Sequence, residues 1–252
     1  MNRVVATALP DIPLVEPGSD LGELTLVGLE KAGIELQNQD ILVFASKVFS
    51  KAEGRYFDLS EIRPSPAARE IAAACDKDPR LVELILAESN QVLRIRPGLI
   101  VVEHRLGFVC ANAGIDHSNA TSDEETVLLL PTDPDRSARR LLRTVAEATG
   151  ADVAIIINDS HGRAWRQGTV GIAIGVAGMS PLTDRGGDPD IFGRTLQATL
   201  LGTADEIAAG ASLLQGGADE RSPIVHLRGV SYEPSSGKVS DLLRPLETDM
   251  FR

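Results

Sequence analysis

The sequence predicts an α+β fold, in which helices pack against mixed β-sheets. The chain has 252 residues, of which 43% are hydrophobic, enough for a large buried core. Amphipathic helical stretches alternate with short apolar runs typical of buried strands. No repeat or low-complexity linker interrupts them. We therefore expect a single domain over residues 1–252, with no clean internal boundary, within which two lobes could interleave.

The first half of the chain shows this alternation clearly. A helix is predicted over residues 20–33, with Asp20 as its N-cap. The fully apolar run at residues 41–45 predicts a buried strand. Residues 65–89 have a helical pattern in which Asp78 caps a second helical segment that opens with proline. Three further strands are predicted from the apolar runs at residues 99–105, 107–112 and 127–131.

The second half begins with the clearest helix of the sequence. It is predicted over residues 133–150, because Asp133 is a good N-cap and apolar residues recur at helical spacing behind it. Residues 152–159, DVAIIIND, predict a buried strand that ends on a carboxylate. The remaining predicted elements are a glycine-punctuated strand over residues 168–178, an alanine-rich helix near residues 195–214 and a last strand over residues 224–230.

Composition and charge exclude several classes of protein. The formal net charge of −11 argues against nucleic-acid binding, which needs a basic face, but allows a local basic cluster for a small anion. No apolar run approaches the roughly 20 residues of a membrane span. The N-terminus is too interrupted by proline and aspartate for a signal peptide, so we expect a cytoplasmic protein. Cys75 and Cys110 lie in apolar contexts and are expected to be buried, inert thiols.

A possible cation site follows the strand predicted at residues 107–112. The stretch VCANAGIDHSN places Asp116 and Asn119 just beyond it. Asp and Asn are common in turns because they bond their own backbone, and this stretch alone favours that interpretation. The alternative is a site for Mg²⁺ or Mn²⁺, since both ions take oxygen ligands beside phosphates.

A second polar cluster, Asn158, Asp159 and Ser160, follows the run of isoleucines in AIIINDSHGRAWR. Side chains just beyond the end of a strand are held rigidly yet face solvent, which suits metal ligands. A simple Asx turn explains this stretch alone equally well. Two strand ends that both present aspartate favour the metal interpretation. Asp116 and Asp159 could hold one or two divalent ions, with Asn119 completing the shell.

A third clue is the pair of lysines in ASKVFSKAEGR. Lys47 and Lys51 are four residues apart, so on a helical turn both project from one face. Such lysines repel each other unless solvent separates them or an anion, such as a nucleotide triphosphate, lies between them. An exposed basic turn is the alternative. Neither a Walker A motif nor GxGxxG occurs. His161 could contact substrate or lie in a surface turn, and Trp165 could support a planar ring but is more typical of a core anchor.

These segments together resemble one family, the coenzyme F420-0:L-glutamate ligases. The resemblance covers the chain from about residue 10 to about residue 230. It rests on four segments in this order: SKVFSKAEGR, GFVCANAGIDHSN, LLLPTDPDRSAR and IIINDSHGRAWRQGTVGIAIGVAGMSPL. It implies a γ-glutamyl ligase-like α+β fold and a homodimer. It also implies a GTP-dependent amide ligase that activates the terminal carboxylate of F420-0 for attack by the amine of L-glutamate. GDP and phosphate are the implied products, and Mg²⁺ or Mn²⁺ together with K⁺ are the implied cofactors.

The resemblance also implies roles for individual residues. Asp116 and Asp159 match the catalytic metal-binding positions, with Asn119 and Ser160 as further metal ligands. The residues that match GTP contacts are Ser46, Lys47 and Lys51, the segment Ile12, Pro13, Leu14 and Val15, and a late loop of Gly216, Gly217, Ala218, Asp219, Glu220, Arg221 and Ser222.

The chain departs from the family pattern at several positions. The family commonly has Asp-Thr where this chain has Asp159 and Ser160, and Phe-Gly-Arg-Pro where it has a more polar stretch beginning at His161. A glutamine that assists the metal is replaced by Gly217, which either weakens a second metal position or hands that role to Gln215 or Glu220. These departures leave open the same chemistry on another carboxylate acceptor. A non-catalytic GTP sensor and, more distantly, a metal-dependent phosphohydrolase are the remaining alternatives.

Overall fold

The computed structural model describes residues 3–116, 123, 125–217 and 219–250. Its helices are α1 (Leu21–Lys31), α2 (Ser46–Ala52), α3 (Pro66–Cys75), α4 (Pro79–Ala87), α5 (Pro134–Thr149) and α6 (Thr203–Gln215). Its strands are β1 (Val5–Ala8), β2 (Ile41–Ala45), β3 (Tyr56–Asp58), β4 (Ser89–Arg96), β5 (Leu99–His104), β6 (Val109–Ala111), β7 (Thr126–Leu128), β8 (Ala154–Arg163), β9 (Arg166–Ala177), β10 (Thr183–Asp184), β11 (Leu200–Leu201) and β12 (Ile224–Arg228). The predicted α+β class is confirmed.

The largest sheet has five strands in the order β1-β12-β2-β8-β9. Its central pair, β2 and β8, is parallel, and the other neighbours are antiparallel. Leu42 and Ile155 belong to the hydrophobic cluster that contains α5, whereas Val43 and Ile156 belong to the cluster that contains α6. Both faces of the central strands are therefore covered, which is why these strands are apolar at every position rather than at alternate ones.

A smaller three-stranded sheet, β4-β5-β6, packs against α3 and α4. Ile100 and Val102 of β5 share one hydrophobic cluster with Val82 of α4 and with Phe44 and Ile157 of the large sheet. The two sheets are thus joined by a continuous core. Two-stranded pairs, β3-β7 and β10-β11, complete the sheet structure of the described residues.

The predicted starts of α1, α4 and α5 are confirmed by their caps. Asp20, Asp78 and Asp133 each accept a hydrogen bond from a backbone N–H in the first turn of the helix that follows. Such caps satisfy N–H groups that have no partner within the helix. Cys75 and Cys110 are buried free cysteines, as predicted.

The predicted end of the strand at residue 159 is wrong. β8 continues to Arg163 and forms a long hairpin with β9, whose pairing extends to Arg163↔Arg166. Asp159 therefore lies within a strand. The polar residues favoured a turn by their own propensity, but β9 supplies hydrogen-bond partners that keep the chain extended. Trp165 lies in the hairpin turn with φ of 65° and is 88% exposed, so the core-anchor interpretation is also wrong.

One helix boundary and several short strands also differ from prediction. α6 begins at Thr203 rather than near residue 195, and acidic residues in its first turn favour this start. The preceding residues instead form the β10-β11 hairpin. β1 and β4 were not predicted, since β1 has only four residues and β4 is largely polar with two register shifts.

Candidate active site

Three strands of the large sheet meet at one edge, where most of the predicted functional segments begin or end. β1 ends there, β2 ends at Ala45, and the antiparallel β12 starts at Ile224. The Leu9 N–H donates to the carbonyl of Ile224 at 2.9 Å, and the Ala45 N–H donates to the carbonyl of Pro223 at 2.8 Å. The segments 12–15, 46–51 and 216–222 therefore connect to adjacent positions along this edge.

β8 brings Asp159 to the same edge. The parallel register pairs Ala45 with Asn158, so Ser46, the first residue of α2, lies beside Asp159. The Ser46 hydroxyl donates to Asp159 Oδ1 at 2.6 Å. Because Ser46 is only 3% exposed, this is a buried, charge-assisted hydrogen bond.

Asp116 reaches the site from the smaller sheet. It follows a 3-10 turn, Asn112–Gly114, in which Asn112 and Ala113 have positive φ, and its backbone pairs with Leu128. The turn therefore precedes Asp116, which itself lies in a β-bridge. The Asp116 carboxylate nevertheless lies 2.6 Å from the Lys47 ammonium, so α2 contacts both predicted aspartates through adjacent residues. Asn119 lies outside the described residues.

Lys51 lies one turn after Lys47 on α2, which confirms the predicted helical turn. Burial and the positive charge of Lys47 lower the pKa of Lys51, and the charge of Asp116 opposes this shift. A negatively charged ligand between the lysines would stabilise both in their charged form.

His161 is a site residue for which the sequence allows either substrate contact or a place in a surface turn. The surface-turn alternative is wrong, because His161 lies in β8 and is 6% exposed. It follows Asp159 by two residues, so both side chains lie on one face of the strand, with Nε2 2.9 Å from Asp159 Oδ2. Its ring centroid lies 5.2 Å from that of Phe108. Its position becomes predictable only once the strand is known to continue past Asp159.

The surroundings of Asp159 favour its charged form. Burial raises its pKa, but His161, Ser46 and Lys47 outweigh that effect and hold the pKa of Asp159 below its usual value. Cys110, on the neighbouring β6, has its pKa raised to about 12 by burial and by the charge of Asp159. Asp159 is therefore a carboxylate, and Cys110 a neutral thiol, at neutral pH.

Asn158 lies on the opposite face of β8 and contacts α6. Its Nδ2 donates to Ser212 Oγ at 2.9 Å and to Gln215 Oε1 at 2.6 Å. Gln215 also donates to the carbonyls of Val43 and Pro223. Its carboxamide thus ties the end of α6 to the sheet, which leaves it poorly placed to replace a metal-assisting glutamine. Ser160 is exposed, and strand alternation places its side chain on this face, away from that of Asp159.

The two predicted nucleotide-contacting loops are partly exposed. In segment 12–15, Val15 packs into the core, whereas Pro13 and Leu14 are exposed. In the late loop, residues 216, 217, 219, 220 and 221 are exposed and Ser222 is half-buried, while Ala218 lies outside the described residues. Gly216 has φ of 72° and packs against Glu220, so a side chain there would be strained and would clash. The geometry leaves both loops free to contact a ligand.

The donor set suits a hard divalent cation. Within the described ranges, no three His, Cys, Asp or Glu side chains are close enough to hold a metal ion by themselves. The carboxylates of Asp116 and Asp159 and the Ser46 hydroxyl nevertheless supply the oxygen donors that Mg²⁺ and Mn²⁺ take. Both carboxylates are paired with donors from α2, the Lys47 ammonium with Asp116 and the Ser46 hydroxyl with Asp159.

Comparison with known proteins identifies the class and then the family. A family model described as "F420-0:Gamma-glutamyl ligase" matches residues 11–229. The chain is thus a member of a ligase family, whose enzymes join two molecules through a new covalent bond. It belongs to the F420-0:gamma-glutamyl ligase family.

Curated relatives match this sequence over nearly its full length. The protein named coenzyme F420:L-glutamate ligase from Methanothermobacter thermautotrophicus is 50% identical over 243 residues, 96% of each chain. The protein of that name from Methanopyrus kandleri is 46% identical over an alignment of 259 residues that covers 100% of both chains. The one from Archaeoglobus fulgidus is 41% identical over 250 residues, 99% of this chain and 97% of that one.

The helices of the described ranges include none that is long and apolar enough to cross a membrane.

Proposed function

We propose that this protein is a GTP-dependent ligase that adds L-glutamate to coenzyme F420-0 through an amide bond and extends it through γ-glutamyl bonds. The observation that carries the proposal is the meeting of the predicted segments at one sheet edge, where Ser46 contacts Asp159 and Lys47 contacts Asp116. The names of the relatives support the choice of glutamate and F420 as substrates.

The chemistry follows from the stability of carboxylates in water. Condensing a carboxylate with an amine needs a better leaving group than oxide, and phosphoryl transfer from GTP provides one. In the proposed sequence, a carboxylate oxygen of the acceptor attacks the γ-phosphorus, which forms an acyl phosphate and releases GDP. The glutamate amine then attacks the acyl carbon, loses a proton and displaces inorganic phosphate.

The α2 lysines fit the first step. The Lys47 ammonium, which is paired with Asp116 here, can turn to a phosphate oxygen when a cation takes that carboxylate. The pKa of Lys51 is lowered by burial and by Lys47. When a phosphate binds Lys47, it also provides a counter-ion for Lys51. A phosphate group between the two lysines therefore relieves their mutual repulsion.

The two aspartates fit the metal. Asp116 and Asp159 would hold Mg²⁺ or Mn²⁺, with Asn119 as a proposed additional ligand. The Ser160 side chain lies on the other face of β8 and is not proposed as a ligand of this ion. Such an ion supplies charge neutralisation at the phosphates during transfer. The Ser46 hydrogen bond and the neighbouring His161 fix the orientation of the Asp159 carboxylate. K⁺ is proposed as a second cation, because the site must bind a polyanion on a protein whose net charge is −11.

We also propose that the enzyme acts in the cytoplasm as a homodimer. The support for a dimer is a set of exposed apolar side chains, Ile191, Phe192 and Leu200, in and around the β10-β11 hairpin. Exposed apolar patches of this kind commonly mark protein interfaces. Light scattering coupled to size exclusion tests this prediction, and a monomer at micromolar concentration would contradict it.

The function is tested by phosphate release from GTP with Mn²⁺ and K⁺, with and without L-glutamate and F420-0. We expect release only when both co-substrates are present, and a product heavier by one glutamyl unit in mass spectrometry. If phosphate release requires glutamate and a different carboxylate, and does not occur with F420-0, that carboxylate is the acceptor in place of F420-0. GTP binding without release under every condition would indicate a sensor instead.

A further inference from the structure

His161 is a buried titratable residue that the proposed chemistry uses only indirectly. Its ring is wedged between Asp159 and Phe108. Within the described part of the chain, neither of its ring nitrogens makes a hydrogen bond of acceptable geometry, although Nε2 lies 2.9 Å from Asp159 Oδ2. Buried polar groups without hydrogen bonds are rare and call for an explanation.

The geometry of this contact suits two ligands of one ion. In octahedral coordination with bonds of about 2.1 Å, adjacent ligand atoms are about 3 Å apart. The 2.9 Å between Nε2 and Oδ2 matches this spacing, so one ion could bind both atoms. Ser46 occupies the other carboxylate oxygen, Oδ1, so Oδ2 is the oxygen left for a cation.

Aromatic packing holds the His161 ring in this position. Phe108 packs against it at 5.2 Å between centroids and also stacks on His104 at 5.1 Å. A ligand fixed in this way loses little conformational entropy when it binds an ion.

We propose that His161 is a nitrogen ligand of the divalent ion held by Asp159, and that it makes the site prefer Mn²⁺ to Mg²⁺. The inference rests on the proposed function for the presence of the ion. Imidazole binds transition metals well, whereas Mg²⁺ prefers oxygen ligands and dehydrates reluctantly. The affinity for Mn²⁺ relative to Mg²⁺ therefore depends on His161, and removing the nitrogen lowers it.

The direct test is pulsed electron paramagnetic resonance of Mn²⁺ bound to the protein with GDP. A directly bound imidazole nitrogen produces ¹⁴N modulation of the electron spin echo. We expect this modulation in the wild type and its loss in His161→Phe, which keeps an aromatic ring against Phe108 but has no nitrogen. The wild-type spectrum does not depend on the folding of any variant.

Binding constants provide the second readout. Calorimetry with Mn²⁺ and with Mg²⁺ should show Mn²⁺ affinity reduced by about 10-fold or more in His161→Phe and Mg²⁺ affinity changed far less. The matched control is His104→Phe, which makes the same substitution at the other histidine that contacts Phe108 and should leave the ratio of affinities unchanged. If His161→Phe does not fold, His161→Gln takes its place.

The outcomes separate this inference from the function on which it rests. Bound Mn²⁺ without ¹⁴N modulation, or an unchanged affinity ratio in the variant, would overturn the role of His161 and leave the ligase proposal intact. Tighter binding of both ions in the variant would show that His161 competes with the metal, which also overturns it. Failure of the wild type to bind either ion would overturn both.

Discussion

The hydrogen bond from Ser46 to Asp159 provides the sharpest test of the site. Ser46→Ala removes a 2.6 Å bond between a buried hydroxyl and a carboxylate whose side chain is 17% exposed. Bonds to charged groups contribute about 1.5–3 kcal/mol, so we expect the free energy of unfolding to fall by about 2 kcal/mol. For a chain of this length, that loss lowers Tm by about 4–8 °C. Because the same bond orients Asp159, we expect the rate of ligation to fall by about 10-fold or more.

Urea unfolding followed by circular dichroism measures the stability, and phosphate release measures the rate. Ser50→Ala is the matched control, since Ser50 is also buried in α2 but lies one turn further from Asp159. A change in stability within about 0.5 kcal/mol, together with a normal rate, would refute this account of Ser46.

Three further predictions test charged residues, two of them within the site and one at the opposite end of β2. Asp116→Ala and Asp159→Ala should each abolish turnover while the circular dichroism spectrum stays native; normal GTP-dependent activity in either variant would eliminate the metal assignment. Lys47→Met should weaken GTP binding measured by calorimetry, but change Tm by only a few degrees, because the Lys47 side chain is 42% exposed and such ion pairs add about 0–1 kcal/mol. Asp40→Asn should lower the free energy of unfolding by about 2 kcal/mol at pH 7, because it removes the charge of a buried carboxylate that is hydrogen-bonded to the partly exposed Arg228. Burial raises the pKa of Asp40, but its bonds with Arg228 and other donors outweigh burial and lower it. The stability that Asp40 provides is therefore complete above its unfolded pKa of about 3.9 and is lost as the pH falls further, so unfolding at pH 3 should show a smaller difference between variant and wild type.

Local patterns in the sequence were sufficient for most helices and for the central strands. Helix starts were predictable because N-caps act over three or four residues, as Asp20, Asp78 and Asp133 show. The strands β2 and β8 were predictable because strands buried on both faces are continuously apolar. The family resemblance rested on motif order, which is also a property of the sequence alone.

The sequence by itself therefore determined the class of fold, the family and the residue types of the site, because composition, caps and short-range periodicity depend on neighbours along the chain. Only the tertiary structure decided that β8 continues through Asp159, since its partner strand β9 overrides the turn propensity of those residues. It also decided that Ser46 contacts Asp159, 113 residues away, through the parallel register of β2 and β8. The burial of His161 follows from the same extension, because strand alternation turns it toward Asp159 and packing against Phe108 excludes it from water.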